Sequence, residues 1–202
     1  MHNYHMYINC AQKKGYSGVA VYTKEQPQDV NLTLGLDRFD SEGRFLELTF
    51  STFTLLNLYI PHGGREKENL GYKPDAYSKL LEKFKNLRSR NVVLIGDFNI
   101  AHEDIDLARP SQNRGSIMFT PEERHQLDAI IDLGFLDSFR LFSRAPGNYT
   151  WWPYAFDART KNLGWRLDYA FVSEGLRGKV SRASIYPKVV VSDHCPISLV
   201  LE

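Results

Sequence analysis

Residues 74–99, PDAYSKLLEKFKNLRSRNVVLIGDFN, place an amphipathic helix directly ahead of a buried strand. From 74 to 87 the apolar residues Ala76, Tyr77, Leu80, Leu81, Phe84 and Leu87 recur at helical spacing, while Lys79, Glu82, Lys83 and Lys85 fill the opposite face. The run Val92-Val93-Leu94-Ile95, bounded by Asn91 and Gly96, suits a buried strand, with Asp97 and Asn99 just past its end. A helix followed by such a strand predicts a sheet with helices packed on it.

Upstream, short β-prone runs at 19–23, 30–34, 45–50 and 53–60 are punctuated by Gly15, Gly18, Pro27, Gly35 and the 40–43 segment. In the last run Phe53, Leu55, Asn57 and Tyr59 share one face and Thr54, Leu56, Leu58 and Ile60 the other, so both faces are largely apolar and the strand is expected to be central. Downstream, Thr120-Pro121-Glu122-Glu123 is a capping signature that starts a helix with Leu127, Ile130 and Ile131 inward and Gly134 as terminator. Two further strands are expected at 166–172, carrying Asp168, and at 196–201, just after Asp193-His194. No repeat, low-complexity tract or linker divides the chain, which predicts one α/β domain over residues 1–202.

Composition narrows the function classes. With 202 residues, 43% of them hydrophobic and 24% charged, the chain has globular composition. Lys and Arg number 25 against 24 Asp and Glu, so no overall basic field advertises a nucleic-acid partner, although a local patch would suffice. Cys10 and Cys195 are too few for a disulfide framework, which favours an intracellular protein, cytoplasmic in a prokaryote. The apolar runs at 92–95 and 197–201 fall far short of a membrane span, and residues 1–10 are too polar for a signal peptide, so no membrane partner is expected.

Three groups of residues could carry chemistry. Asp97 and Asn99 stand two apart where a strand meets a loop, so an extended chain would send both side chains into one cleft. There the carboxylate could take a proton from water or bind a hard cation, and the amide could hold it in place. The same Gly-Asp-Phe-Asn residues also favour a plain turn. Ser192-Asp193-His194-Cys195-Pro196 puts a carboxylate beside an imidazole, but adjacent side chains diverge. The partner of His194 must therefore lie elsewhere, and Asp168 is the candidate. Finally, Trp151, Trp152, Tyr154, Phe156 and Trp165 are concentrated around Arg159, Lys161 and Arg166, a mixture that suits either stacking beside phosphate contacts or ordinary core packing.

Seven stretches combine these signals in one order. They are Gly15-Tyr16-Ser17-Gly18-Val19-Ala20, Leu58-Tyr59-Ile60-Pro61, Gly96-Asp97-Phe98-Asn99-Ile100-Ala101-His102, Glu103-Asp104-Ile105-Asp106-Leu107, Phe119-Thr120-Pro121-Glu122-Glu123-Arg124, Gly164-Trp165-Arg166-Leu167-Asp168-Tyr169 and Ser192-Asp193-His194-Cys195-Pro196-Ile197. In them the chain resembles the exonuclease III / AP endonuclease branch of the endonuclease-exonuclease-phosphatase superfamily. The resemblance implies a four-layer αββα sandwich, two sheets face to face between helical layers, with the active site at one end. It implies a metal-dependent DNA-repair phosphodiesterase that incises duplex DNA 5′ to abasic sites, trims blocked 3′ ends and acts as a 3′→5′ exonuclease. The cofactor it implies is Mg²⁺, with Mn²⁺ as the alternative.

Carried over by position, Tyr59 would contact the scissile phosphate, Asp97 would activate water, and Asn99 would fix Asp97 and the nucleophile. Asp168 would orient His194 at the phosphate. Asp193 would assist metal binding, with Asp97 and His194 as further metal candidates. Asn113 would meet the phosphate, Arg65 the DNA backbone, and Trp151, Trp165 and Leu167 would form the pocket for a flipped, baseless sugar. Ser116 and Met118 depart from the family's usual Asn and Gly. The family pattern also begins upstream of Met1. The sandwich is therefore expected to lack its first strands, with the Asn and the principal metal-ligand Glu they carry, and no residue here stands in for that Glu. A monomer is expected, or a chain completed by a separate N-terminal partner. The competing expectations are a catalytically silent DNA-binding remnant that needs the missing segment, and a superfamily phosphatase acting on inositol or lipid phosphates.

Overall fold

The computed structural model describes residues 3–64 and 71–202. In chain order the strands and helices are β1 (His5–Cys10), β2 (Gly18–Thr23), β3 (Asp29–Asn31), α1 (Asp37–Ser41), β4 (Phe45–Thr49), β5 (Thr54–Tyr59), α2 (Tyr72–Leu87), β6 (Val92–Asp97), α3 (Pro110–Asn113), α4 (Pro121–Asp132), β7 (Phe135–Asp137), β8 (Asp168–Ser173), β9 (Val180–Ile185) and β10 (Ile197–Leu201). Six strands form the main sheet in the order β3-β4-β5-β6-β8-β7, and β1-β2 and β9-β10 form two separate hairpins. Only β5 and β6 run parallel in the main sheet. Strands that run the same way need a long crossover, and α2 provides it.

One face of the main sheet carries the largest core. Phe45, Leu56, Leu58, Leu94, Tyr169 and Phe171 pack there against Ala76, Tyr77, Leu80 and Phe84 of α2 and Leu127 and Ile130 of α4. The other face is covered by the hairpins: Val19 meets Leu46 and Leu48, and Val180, Leu199 and Leu201 meet Val93 and Val172. The layers run helices, six-stranded sheet, then paired hairpins, in keeping with the sandwich architecture. As expected, β5 is central. Thr120 caps α4, with its hydroxyl accepting from the Glu123 amide and the Glu123 carboxylate returning to the Thr120 amide.

Several expectations need correction. Ile131, read as inward, is 37% exposed and lies at the rim of a side cavity near Leu136 and Arg140. The 30–34 run is a strand only to Asn31, because the Asn31 side chain accepts from the Thr33 amide and hydroxyl and turns the chain. The strand expected from Arg166 begins at Asp168, and the chain before it makes single-residue bridges instead. Among the described residues no helix is long and apolar enough to cross a membrane.

Candidate active site

The register of three strands builds the centre of the site. Tyr59 at the end of β5 pairs with Asp97 at the end of β6, and Asp97 pairs with Asp168 at the start of β8. Side chains alternate along each strand, so all three stand in one row on the hairpin face, spanning about 10 Å at the ordinary strand spacing. Gly96 allows this row to form: its φ is +137°, and a Cβ there would fall 1.9 Å from the Leu58 carbonyl oxygen.

Beyond β6 the chain turns sharply. Asn99 adopts φ +52°, a left-handed conformation that asparagine tolerates better than most residues. Its amide donates to Asp97 Oδ1 at 2.9 Å and its Nδ2 to Asp97 Oδ2 at 2.7 Å, so both carboxylate oxygens are held. The same Nδ2 donates to the Ile60 carbonyl at 2.9 Å.

His194 enters from the chain before β10. Its Nδ1 lies 2.8 Å from Asp168 Oδ2, the pairing expected from the divergence of Asp193 and His194. Thr150 fixes the backbone that carries that carboxylate, since its hydroxyl oxygen accepts from the amides of Leu167 and Asp168. Trp151 bridges both Trp165 and His194 through its backbone, and its indole N–H donates to Asp193 Oδ2 at 3.0 Å.

Electrostatics distinguish the groups. Burial and the neighbouring Asp168 charge push the Asp97 carboxyl up to about 7, against the pull of His194, the Asn99 amide and Lys73. Burial opposes a charged His194, but the hydrogen bond and charge of Asp168, with Asp97 and Asp193, outweigh it and raise the ring to about 9. At neutral pH the site therefore offers a cationic imidazole beside a carboxylate poised between its two states. The chemistry within reach is proton removal by Asp97 and hydrogen-bond donation from His194 and Tyr59 to an anionic oxygen.

The remaining expected residues divide. Leu167 is 1% exposed and packs with Ala101, Leu107, Met118 and Phe119, against which the partly buried Trp151 and Trp165 lean. Asn113 donates to the carbonyls of Ala108 and Arg109, so its amide group turns back onto its own loop. Arg65 lies outside the described residues. Met118, standing where the family favours Gly, sits at φ +70°, a conformation glycine adopts without strain.

The aromatic and basic mixture separates as well. Trp152 is buried with Arg159 stacked 4.6 Å from its ring, while Tyr154 and Phe156 are exposed. Arg166, grouped above with phosphate-contacting residues, is instead 1% exposed, with Nε on Asp106 and Nη1 on Asp137, both at 2.7 Å. A guanidinium so enclosed cannot reach a ligand.

Two neighbours were not anticipated. Arg44 stacks 4.4 Å from the Tyr59 ring and donates to the Tyr59 carbonyl, beside a hollow of about 250 Å³ lined also by Tyr16, Arg38 and Tyr72. Lys73 is buried at the base of α2; its one sequence signal is a lysine in line with the apolar stripe of Ala76, Tyr77, Leu80 and Phe84.

As to metal, Asp97 and Asp168 are hard oxygen donors whose mutual repulsion a dication would relieve, and Mg²⁺ takes only one or two protein carboxylates plus water and substrate oxygens. Among the described residues no three His, Cys, Asp or Glu side chains form a metal-binding group. Each oxygen of Asp97 and of Asp193 already accepts a hydrogen bond, from Asn99 and from Trp151 and Ser192 respectively, which leaves a further lone pair on each. The donor set thus fits a cation held through few protein ligands.

Comparison with known proteins agrees with this geometry. Residues 2–194 match the Endonuclease/Exonuclease/phosphatase family. The chain is 40% identical over 201 residues to the exodeoxyribonuclease of Bacillus subtilis (strain 168), covering 98% of this chain and 80% of that protein. It spans between 29% and 71% of four further curated relatives. Among solved structures it resembles the 3′ phosphatase NExo from Neisseria bound to product DNA hairpin, with TM-score 0.92, 27% identity and coverage of 99% of this chain and 80% of that one. It likewise resembles an AP endonuclease from Archaeoglobus fulgidus, with TM-score 0.90, 26% identity and the same coverages. The matches and the Tyr59-Asp97-Asp168-His194 arrangement place the chain in the exonuclease III / AP endonuclease branch of the Endonuclease/Exonuclease/phosphatase family.

Proposed function

We propose that the chain is a divalent-metal-dependent DNA-repair phosphodiesterase that incises duplex DNA 5′ to abasic sites and trims blocked 3′ ends, with Mg²⁺ as the cation. The observation that carries the reading is the convergence of Tyr59, Asp97, Asp168 and His194 at one end of the sheet. Hydrolysis of a phosphodiester requires a positioned, deprotonated water and neutralisation of charge on the phosphoryl oxygens. Asp97 receives the proton from water while Asn99 holds both of its oxygens. His194, oriented by Asp168, and the Tyr59 phenol donate to the phosphoryl oxygens. A cation held by Asp97 and Asp168 would supply further charge neutralisation. Trp151 and Trp165, leaning on the Leu167 cluster, offer an apolar wall to a baseless sugar. Extruding such a nucleotide costs least because no base pair holds it. Family membership supports a nuclease, and the abasic substrate follows from these residues together with the likeness to AP endonucleases.

The test incubates the purified chain with a duplex carrying one abasic analogue, in Mg²⁺ or EDTA. A single nick 5′ to the lesion, lost in EDTA, is expected, and no nick in Mg²⁺ or Mn²⁺ defeats the proposal. A second reading is a lesion binder that does not cut. That reading requires tighter binding to abasic than to intact duplex at one stated salt concentration, without cleavage.

A further inference from the structure

The Asp97-Phe98-Asn99 turn is held by three consecutive carbonyls, each taking a donor from the chain around it. The Asp97 carbonyl accepts from the Ile60 amide at 2.8 Å, the Phe98 carbonyl from the Tyr77 hydroxyl at 2.7 Å, and the Asn99 carbonyl from Lys73 Nζ at 2.7 Å. Lys73 is the one charged donor of the three. Its Nζ also donates to the His62 carbonyl at 3.3 Å and pairs with Glu123 Oε1 at 2.5 Å. The lysine side chain is 3% exposed and that of Glu123 16%. Glu123 is itself shared, because its second oxygen closes the capping box of α4. A single ammonium thus ties together the first turn of α2, the loop after β5, the turn after β6 and the start of α4.

The arrangement is oriented toward Asn99. In the left-handed conformation of that residue the amide and side chain turn back to Asp97, and the carbonyl faces Lys73. An acceptor on one side, the Asp97 carboxylate, and a donor on the other, Lys73, therefore hold a left-handed conformation that most non-glycine residues avoid. Gly63 keeps the approach open: it lies at φ +82°, and a Cβ there would meet the lysine stem at 3.0 Å. Burial disfavours the charged lysine, and Glu123 opposes that loss.

We infer that Lys73, paired with Glu123, is a positioning residue of the site: it fixes Asn99 in its left-handed conformation and, through Asn99, both oxygens of Asp97. Its Nζ is committed to the His62 and Asn99 carbonyls and to Glu123, so it acts through Asn99. The inference rests on the proposed reaction for its kinetic consequence, but its structural half stands without it. A buried ion pair replaced by apolar residues of similar size often keeps or gains stability, whereas removing one partner is destabilising. That difference separates holding the fold from holding the turn.

Three variants, Lys73→Met, Lys73→Arg and the double Lys73→Met with Glu123→Leu, test it in the full chain. The readouts are thermal midpoint, steady-state cleavage of the abasic-analogue duplex, and the ¹H–¹⁵N resonances of the Asn99 backbone and side-chain amides without DNA. In Lys73→Met kcat should fall about 100-fold with KM within about 3-fold of the parent, as for a misplaced rather than missing catalytic group. Its Asn99 resonances should move away from their hydrogen-bonded positions. Lys73→Arg should restore both, and the double variant should raise the thermal midpoint above that of Lys73→Met, short of the parent by the lost Glu123–Thr120 capping bond, without recovering kcat or the Asn99 resonances. The inference is overturned if the double variant regains kcat and resonances along with its midpoint, or if a folded Lys73→Met keeps its kcat or its Asn99 resonances. Should the parent chain not cut DNA, the proposed function fails, and the resonances alone decide the positioning claim.

Discussion

Asp97, partly buried, and Asp106, fully buried, are two carboxylates separated by nine positions, and they have opposite surroundings. Asp106 is fully buried between guanidinium groups: it accepts from Arg166 Nε at 2.7 Å and from Arg140. Burial works against its charge, yet Arg166 and Arg140 hold its carboxyl below the usual range. Among the described residues Asp97 has no Lys or Arg in direct contact. Its oxygens take two donors from Asn99, and Asp168 adds a like charge, so burial wins and the carboxyl rises to about 7. Burial alone does not mark a functional acid. What marks it is the lack of a directly bonded guanidinium or ammonium, so that the longer-range pull of His194 and Lys73 is outweighed and the group can exchange a proton or accept a cation.

The largest effect expected of this contrast concerns turnover. Asp97→Asn should lower kcat by about 10²–10⁴-fold without lowering the thermal midpoint, because the replaced group is a base rather than a strut. Single-turnover cleavage and a melting curve check both halves, and a large loss of stability would make the two carboxylates alike. Asp106→Asn should do the reverse. Leaving Arg166 and Arg140 without their partner should cost about 3–5 kcal/mol in denaturant unfolding, with kcat per folded molecule nearly unchanged.

The pH dependence sharpens the comparison. Activity should rise through an acid limb near 7 as Asp97 loses its proton and fall through an alkaline limb near 9 as His194 loses its charge. Asp168→Asn removes both the main support of the charged ring and the like charge that raises Asp97, so both limbs should move down. Raising Mg²⁺ should draw the acid limb lower, since a cation favours the ionised carboxylate. For stability the signs differ. His194 has a folded-state value above its unfolded one, so its contribution is complete below about 6.5 and fades as pH passes 9. Asp97, also raised, destabilises increasingly as pH climbs from its unfolded range to 7. The smallest effect is expected of Trp151→Phe, which removes one indole hydrogen bond to Asp193 and should change kcat by only a few-fold.

What could be read from the chain follows the physics of each segment. The α2 stripe, the Thr120 cap and the two-faced β5 were legible because their signals are local. So was the Asp168 partnership of His194, since divergence of neighbouring side chains set Asp193 aside and strand alternation with the family resemblance pointed to Asp168. β1 was not: its apolar Met6 and Ile8 face outward at 56% and 42% exposure, while Asn9 reaches back to the carbonyls of Leu32 and Phe45. β7 is three residues long and carries no periodicity. Arg166 looked like a surface cation because its two carboxylate partners are 29 and 60 positions distant in sequence and nothing local announces them. Lys73 was passed over for a similar reason, since a lysine one turn ahead of an apolar stripe ordinarily snorkels to solvent.

The parallel pairing of β5 with β6, bridged by α2, has one further consequence. Tyr59 and Asp97 come level only when that pairing is in register, and Asp168 and His194 join only after the much later β8 and the segment before β10 have docked. Until β8 emerges, the nascent chain holds Tyr59 and Asp97 without their two partners. During refolding from denaturant, recovered turnover should lag the return of helical signal and coincide with burial of the last strand, which makes the enzyme's own output a stopwatch for sheet closure.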